Sequence, residues 1–483
     1  MSLFEPLARA TNRVASYFGY DAAESTPRRG TRSVRLMHED DELPEGKRRN
    51  VVSNARDLNR NFAIAAWAIR KHLDFVSSFT FQMKTPDRAL NTTIEGLMQE
   101  WSHPDNCDAA GRHSFRRMIR IAEASRCLDG DIFPVKLRTG HLQMIEGDRV
   151  RNPIGANLQF DRKSLKHGVR LDAAGRALGF AVHTRTDSGG FQFERMVARE
   201  NCLQFGFFNR IDQVRGISPV VAALNTYTDL YEGFDYALAK AKVAQLFGLV
   251  FYRDAVDPPA PTEESEESTE DKPKYEVDFG KGPVVLDLDA GDKAEFLENK
   301  TPSNEFREFT QVMTSIALKS LDLPFSFYDE AYTNFFGSRA ALILYLQSCK
   351  AKREDLREML REITIWKLTQ FVLSGLLVLP GNMTIADLSF EWIHDGVPWW
   401  DPSKDINADV AAISAGLRTR SEIRKERYGD DWTDVIDKLA EEEAYILEKK
   451  VTITAAGPGI YNPAPVVKDD EEQQSAKGAQ HAA

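Results

Sequence analysis

Apolar residues recur at three- and four-residue steps over several long stretches, and the longest lies in the last third of the chain. From Ser338 to about Val378 there is no proline and a single glycine, Gly375. Leu342, Leu346, Cys349, Leu356, Leu360, Ile363 and Leu373 fall there close to helical spacing. About forty residues at roughly 1.5 Å each make a rod of about 60 Å, far longer than the ordinary globular helix. Such a rod suits a strut in a large assembly better than one wall of a substrate pocket.

The same periodicity predicts a helix over Asn54–Phe79, on Leu58, Phe62, Ala65, Ile69, Leu73 and Val76, and shorter ones over Thr92–Trp101 and Ser114–Cys127. Between Asp131 and Asn209 the pattern turns strand-like. Ile132–Leu137, Gly140–Ile145 and the run from Phe191 read as strands. Val169–Asp172 and Leu178–His183 read as a hairpin closed around Gly175. Gly216-Ile-Ser-Pro219 then opens a long helix to about Phe247, with Ser218 as N-cap and Pro219 in the first turn.

A strand at Gly248–Tyr252 and a strand pair at Val284–Leu288 and Ala294–Leu297 flank Asp254–Lys274, where eight acidic residues between Asp254 and Asp271 predict a mobile loop. Thr301-Pro302 is expected to cap a helix with Phe306, Phe309, Met313 and Ile316 on one face. After Leu379-Pro-Gly381 come a strand at Leu388–Trp392 and helices at Pro402–Ala415 and Thr419–Lys450, the second broken near Tyr428–Trp432. The order of elements predicts an α+β, multidomain chain.

Composition changes this picture little. The 483 residues suffice for two to four domains, and 42% hydrophobic with 28% charged residues is ordinary for a globular protein. No apolar run is long enough to span a bilayer, and no signal peptide or membrane partner is expected. Cys107, Cys127, Cys202 and Cys349 are scattered and read as reduced thiols. A net charge of −11, from 62 Lys and Arg against 73 Asp and Glu, argues against tight DNA binding without excluding nucleic acid as a partner. The basic clusters Lys47–Arg49 and Arg116-Arg117 read by default as solvated surface.

Candidate chemistry is sparse. There is no Walker A loop, nucleophile elbow, HExxH or paired CxxC, so no enzyme activity, metal or cofactor is expected. His103 and His113 read as surface or core histidines, and Asp129-Gly-Asp131 as a turn between helix and strand. The aromatic cluster Phe325-Ser-Phe-Tyr328 with Tyr332, Phe335 and Phe336 has two readings: core filling beneath a loop, or exposed rings that brush a nucleic acid without sequence preference. On the helix from Ser218, Asp229, Glu232 and Asp235 alternate with Lys240 and Lys242. In a single chain that is a solvated face; in a ring it becomes bands of like charge around a lumen.

Seven segments, in order, together resemble the lambda family of phage portal proteins. They are Ala55-Arg-Asp-Leu-Asn-Arg-Asn61 leading to Ala68-Ile-Arg70; Trp101 before Asp108 and Gly111; Gln143-Met-Ile-Glu-Gly-Asp-Arg149; Val214-Arg-Gly-Ile-Ser-Pro219; Ala239-Lys-Ala-Lys-Val-Ala244; Tyr332-Thr-Asn-Phe-Phe-Gly-Ser-Arg-Ala340; and Ile413-Ser-Ala-Gly-Leu-Arg-Thr-Arg-Ser-Glu422. The resemblance covers about Arg56 to Leu447.

It implies a homo-oligomeric ring of about twelve copies at one capsid vertex of the virion, assembled in the host cytoplasm. Double-stranded DNA would pass through it without sequence specificity. The terminase large subunit, a head-tail adaptor, the major capsid protein and scaffold would be its partners. It also implies a domain map: an arm (1–55), a wing (56–216 and 380–402), stem helices (217–247 and 303–321) and a clip (248–300). A tunnel loop (322–337), a long kinked helix (338–379), a crown (403–450) and a disordered tail (451–483) complete it. Tyr332, Asn334, Phe335 and Phe336 would form the tunnel loop's constriction, with Lys240 and Lys242 as candidate lumen charges. Two other classes stay open: a different virion structural protein, and an α+β enzyme with an unrecognised site.

Overall fold

The computed structural model describes residues 38–153, 162–246, 249–253, 292–296, 303–329, 335–396 and 402–449. It is a mixed α+β chain in two compact units, 1–392 and 393–483. The implied wing segment 380–402 straddles that division.

In the first unit, α1 (Glu45–Asn61) and α2 (Ala63–Val76) meet at Phe62, which leaves helical geometry at φ −114° and ψ 111°. The periodicity over 54–79 runs across this joint, because Phe62 stays buried while the backbone turns. A short helix at Glu39–Glu42 and the start of α1 at Glu45 both lie inside the segment 1–55 expected to be an arm. Only Val52, Ala55 and Leu58 of α1 are buried, too sparse a stripe for the sequence to announce. Strand β1 (Phe79–Met83) is followed by α3 (Arg88–Trp101), capped by Asp87, whose side chain accepts from the Leu90 N–H. Ser114 caps α4 (Phe115–Asp129) in the same way, and Gly130, at φ +93°, ends it.

Three strands, β2 (Asp131–Lys136), β3 (Leu142–Glu146) and later β8 (Phe205–Gly206), form one sheet in the order β3-β2-β8. A second sheet runs β4 (Leu165–Lys166), β5 (Val169–Leu171), β6 (Ala177–Arg185), β7 (Phe191–Ala198). The expected hairpin around Gly175 joins β5 to β6, with Gly175 at φ +84°. Phe133, Ile145, Val169, Phe180 and Val182 form a separate small core between the sheets.

Ser218 accepts from the Val220 N–H, and Pro219–Ala223 forms a 3-10 turn running into α5 (Leu224–Leu246). Strands β9 (Leu249–Arg253) and β10 (Asp292–Phe296) pair antiparallel, as Ala294 opposite Phe251 shows. The predicted strand at 284–288 and the acidic loop lie outside the described residues. The cap of α6 (Asn304–Leu318) is Ser303, which accepts from the Phe306 N–H, rather than the expected Thr301-Pro302 pair, also outside the described residues.

The long helix is one piece: α7 (Phe335–Leu373) runs for 39 residues. It starts three residues before the expected Ser338, so the end of the implied tunnel loop is helical, and it stops five residues before Val378. Its Tyr345, Cys349, Leu356, Leu360, Ile363 and Leu368 join α2, α3 and α4 in the main core. Strand β11 (Phe390–His394) pairs with β1. In the second unit, α8 (Pro402–Ser414), α9 (Arg420–Arg427) and α10 (Trp432–Lys449) reproduce the expected break at 428–431. A capping box between Thr419 and Glu422 starts α9.

Candidate functional site

The segment between α6 and α7 is tied down before it reaches the residues expected to face a lumen. Asp322 adopts a left-handed conformation at φ +62°, uncommon for a side-chain-bearing residue. Its carboxylate accepts from Ser348 Oγ at 2.7 Å and Lys352 Nζ at 2.8 Å, both on α7. Burial alone would raise the Asp322 carboxyl pKa, but the Lys352 and Ser348 hydrogen bonds outweigh it and hold the group below its ordinary value.

Just beyond, Phe327 stacks on Phe75 at 5.7 Å and meets Tyr345 edge-on at 5.5 Å, while Tyr328 meets Trp67. This part of the aromatic cluster packs against the chain's own helices. Tyr332 and Asn334 lie outside the described residues. Phe335 and Phe336 are placed by backbone only, in the first turn of α7.

The helices flanking this segment expose apolar stripes. On α5, Tyr227 and Leu230 are buried, whereas Tyr231, Phe234 and Leu238 are exposed at i, i+3 and i+7. On α6 the same spacing brings out Phe309, Val312 and Ile316, each more than half exposed. The predicted apolar face of α6 is therefore split: Phe306 meets Phe234 across the helix pair at 6.1 Å, and Phe309 and Ile316 point away from the chain's core. Lys240 and Lys242 are exposed on the last turns of α5, and Asp229, Glu232 and Asp235 are exposed earlier on the same helix. All these groups share one helix.

A buried polar network braces α7 against α2 and α4. Glu123, fully buried, accepts from Arg126 Nε at 2.8 Å and Nη2 at 3.1 Å, and pairs with His72 Nε2 at 2.8 Å. Arg126 also reaches Asp355 on α7 at 2.7 Å and lies over the rings of Phe205 and Phe207. Burial would raise the Glu123 carboxyl, yet Arg126 and His72 hold it below the usual value. Burial also lowers the His72 pKa, against the pull of Glu123. The ligand atoms of His72, Glu123 and Cys127 lie within 4.8 Å of one another. The Arg126 guanidinium already occupies the carboxylate, so the set is an ion network rather than a cation cage. Arg353 adds a second brace, giving Nε and Nη2 to the Phe75 carbonyl at the end of α2.

Sequence reasoning missed these braces. His72 and Glu123 carry no motif, and Arg126 and Asp355 are 229 residues apart. His103 and His113, read from the sequence as surface or core histidines, are not in the group of possible metal ligands found among the described residues. All four cysteines are free and buried. No helix among the described residues is long and apolar enough to cross a membrane.

Solved structures of gene transfer agent (GTA) particles show weak likeness. The virion of the native GTA particle has a chain 14% identical, covering 78% of this chain and 92% of its own, at TM-score 0.43. A chain of the neck of the empty particle, computed with C6 symmetry, is 13% identical over 77% of this chain and 92% of its own, at TM-score 0.45. One in the neck of the native particle, computed with C12 symmetry, gives 13%, 77%, 92% and 0.43. Likenesses at this level carry no argument about function. No curated protein gives a significant sequence match. The family model described as phage portal protein, lambda family, matches residues 27–353, well over half of the chain and through α5, α6 and the start of α7, and the chain belongs to that family.

Proposed function

We propose that the chain assembles as a ring of about twelve copies at one capsid vertex, through which duplex DNA enters and leaves the particle. Family membership supports this reading. The observation that carries it is the pair of stripes on α5 and α6, six large apolar side chains that the chain itself covers only in part, at i, i+3, i+7 spacing. Covering such side chains stabilises by roughly 1.5–3 kcal/mol each when complete, and a neighbouring copy in a closed ring covers every one without leaving an end.

In this ring α5 and α6 are the stem, and Tyr332, Asn334, Phe335 and Phe336 form the constriction, positioned through Asp322, Ser348 and Lys352. Lys240 and Lys242 are lumen charges. The module holding β9 and β10 faces the terminase large subunit and later the head-tail adaptor; residues 56–216 meet capsid protein and scaffold. DNA translocation needs no ATPase in this chain if the docked motor supplies it. The test is a packaging assay with Phe335→Ala/Phe336→Ala. The double variant should form rings yet package or retain less DNA; packaging and retention at the unaltered level would remove the loop from the mechanism.

A further inference from the structure

The first described residue, His38, sits at an open groove that the proposed ring does not use. The groove has a volume of about 860 Å³ and runs between the β5–β6 hairpin and the loop from Gln204 to Val214. Leu171, Ala177 and Val214 line it, with the small residues of the Ala173–Gly175 turn on one side. On the other side Phe208 is nearly half exposed and Ile211 fully exposed. One exposed isoleucine is ordinary, but two large apolar side chains beside an apolar groove mark an interaction surface. The chief polar side chains there are already engaged. Gln204 donates to the Val214 carbonyl, Gln213 to those of Phe207 and Arg215, and Arg210 pairs with Glu39 and Asp212. What stays open is chiefly apolar.

The chain's own course leads to this groove. His38 lines it and is extended, at φ −63° and ψ 143°. The two residues that follow are pinned beside it. Glu39 pairs with Arg210 at 3.0 Å. The buried Asp40 accepts from the Val214 N–H at 3.3 Å and pairs with His38 Nδ1 at 2.9 Å, and its carbonyl meets His167 Nε2 at 3.0 Å. Met37 is therefore held about 3.8 Å, Cα to Cα, from a groove residue. Such a tether gives the preceding segment a high effective concentration at the groove. The family model begins at residue 27, so residues 27–37 fall within the matched region. Their sequence suits an apolar slot: in Ser33-Val-Arg-Leu-Met37 the one charge is Arg35. An extended chain turns Val34 and Leu36 to one face and Arg35 to the other.

We propose that residues 33–37 of the same chain lie extended in this groove, with Val34 and Leu36 against its apolar lining beside Phe208 and Ile211. Five residues in this form span about 17 Å. Arg35 stays on the outer face, in water. The segment is a strap that joins the hairpin to the 204–214 loop. A neighbour's segment would have to displace one already tethered at the groove, which favours the chain's own.

Limited trypsin digestion of the full-length protein, followed by intact-mass spectrometry, reads the strap through cleavage after Arg32. When reclosing is fast, that rate tracks the population with the segment released. Leu36→Asp and Ile211→Asp should each accelerate it at least about tenfold, the loss of one buried apolar side chain's contact. Ile211 is fully exposed among the described residues, so its replacement leaves their internal packing intact. Leu417→Asp, the same change at an exposed site of the second unit, should leave the rate unchanged. The double variant Leu36→Asp/Ile211→Asp should fall well short of the product of the single effects, because both release one contact. Effects that multiply in full, a rate indifferent to Ile211→Asp, or equal acceleration by Leu417→Asp would overturn the proposal. Protection that disappears on dilution would overturn it too, by giving the groove to a second copy's segment.

Discussion

Removing Arg126 isolates a buried carboxylate, and the consequence has both a size and a pH signature. In Arg126→Met the side chain retains its length over Phe205 and Phe207, but Glu123 loses the donors at 2.8 and 3.1 Å and keeps His72 and the weak Cys127 thiol donor at 3.8 Å. Breaking a buried pair from one side costs about 3–5 kcal/mol, because the remaining charge stays desolvated. Replacing both residues with Met removes the stranded charge, so the double variant should be more stable than the single one by at least ~1 kcal/mol.

The sign with pH follows from the carboxyl. In the native protein Glu123 is held below its ordinary pKa; its contribution is present above the unfolded value and disappears as pH falls through the folded one. Without Arg126, burial dominates and the folded pKa rises above the unfolded value, so the variant loses stability as pH rises. The gap between wild type and Arg126→Met should therefore widen from pH 4.5 to pH 7, roughly the range above an ordinary glutamate's titration. Urea titrations followed by tryptophan fluorescence at the two pH values measure it. A gap below about 1 kcal/mol at pH 7, a gap that narrows with pH, or a double variant no better than the single one would refute the reasoning.

Lys367 gives a second pH test. It is buried against Trp101, Trp366 and Phe371 with the Gly140 carbonyl at 3.3 Å, and burial lowers its pKa to about 8. Between that value and the ordinary lysine value of roughly 10.4 the unfolded state binds more protons, so stability should rise with pH there. Lys367→Met should be the more stable protein at pH 7, with an advantage that shrinks toward pH 10. An advantage that stays constant across that range in thermal melts would contradict the assignment. On the exposed stripe of α6, Val312→Asp should leave the melting point of the isolated chain within a degree or two, since surface changes cost about 0.5 kcal/mol or less. It should abolish higher-order assembly in analytical ultracentrifugation; assembly at the wild-type level would show that this face is not an interface.

What the sequence disclosed and what it withheld divide along a physical line. Local, repeating signals were legible. The proline-free run into α7, the Gly175 turn and the Ser218 cap all act within a few residues of chain. The joint at Phe62 was not legible, since a buried aromatic at helical spacing looks the same whether or not the backbone bends there. Nor was the start of α1: its exposed face is rich in Arg and Asn, and just three of its side chains are buried. The split face of α6 shows the same limit from the other side. Periodicity identifies an apolar stripe, but not whether the chain itself or a neighbour covers it. The Arg126–Asp355 brace and the Arg215–Asp131 pair depend on contacts across 229 and 84 residues, which only the fold brings together.

The most direct measurement is electron microscopy of the purified full-length protein. Rings with an axial hole wide enough for duplex DNA, their stems built from α5 and α6 of adjacent copies, are the predicted result. Compact particles without a hole at high protein concentration, with Tyr231, Phe234, Phe309 and Val312 still open to solvent, would contradict the account.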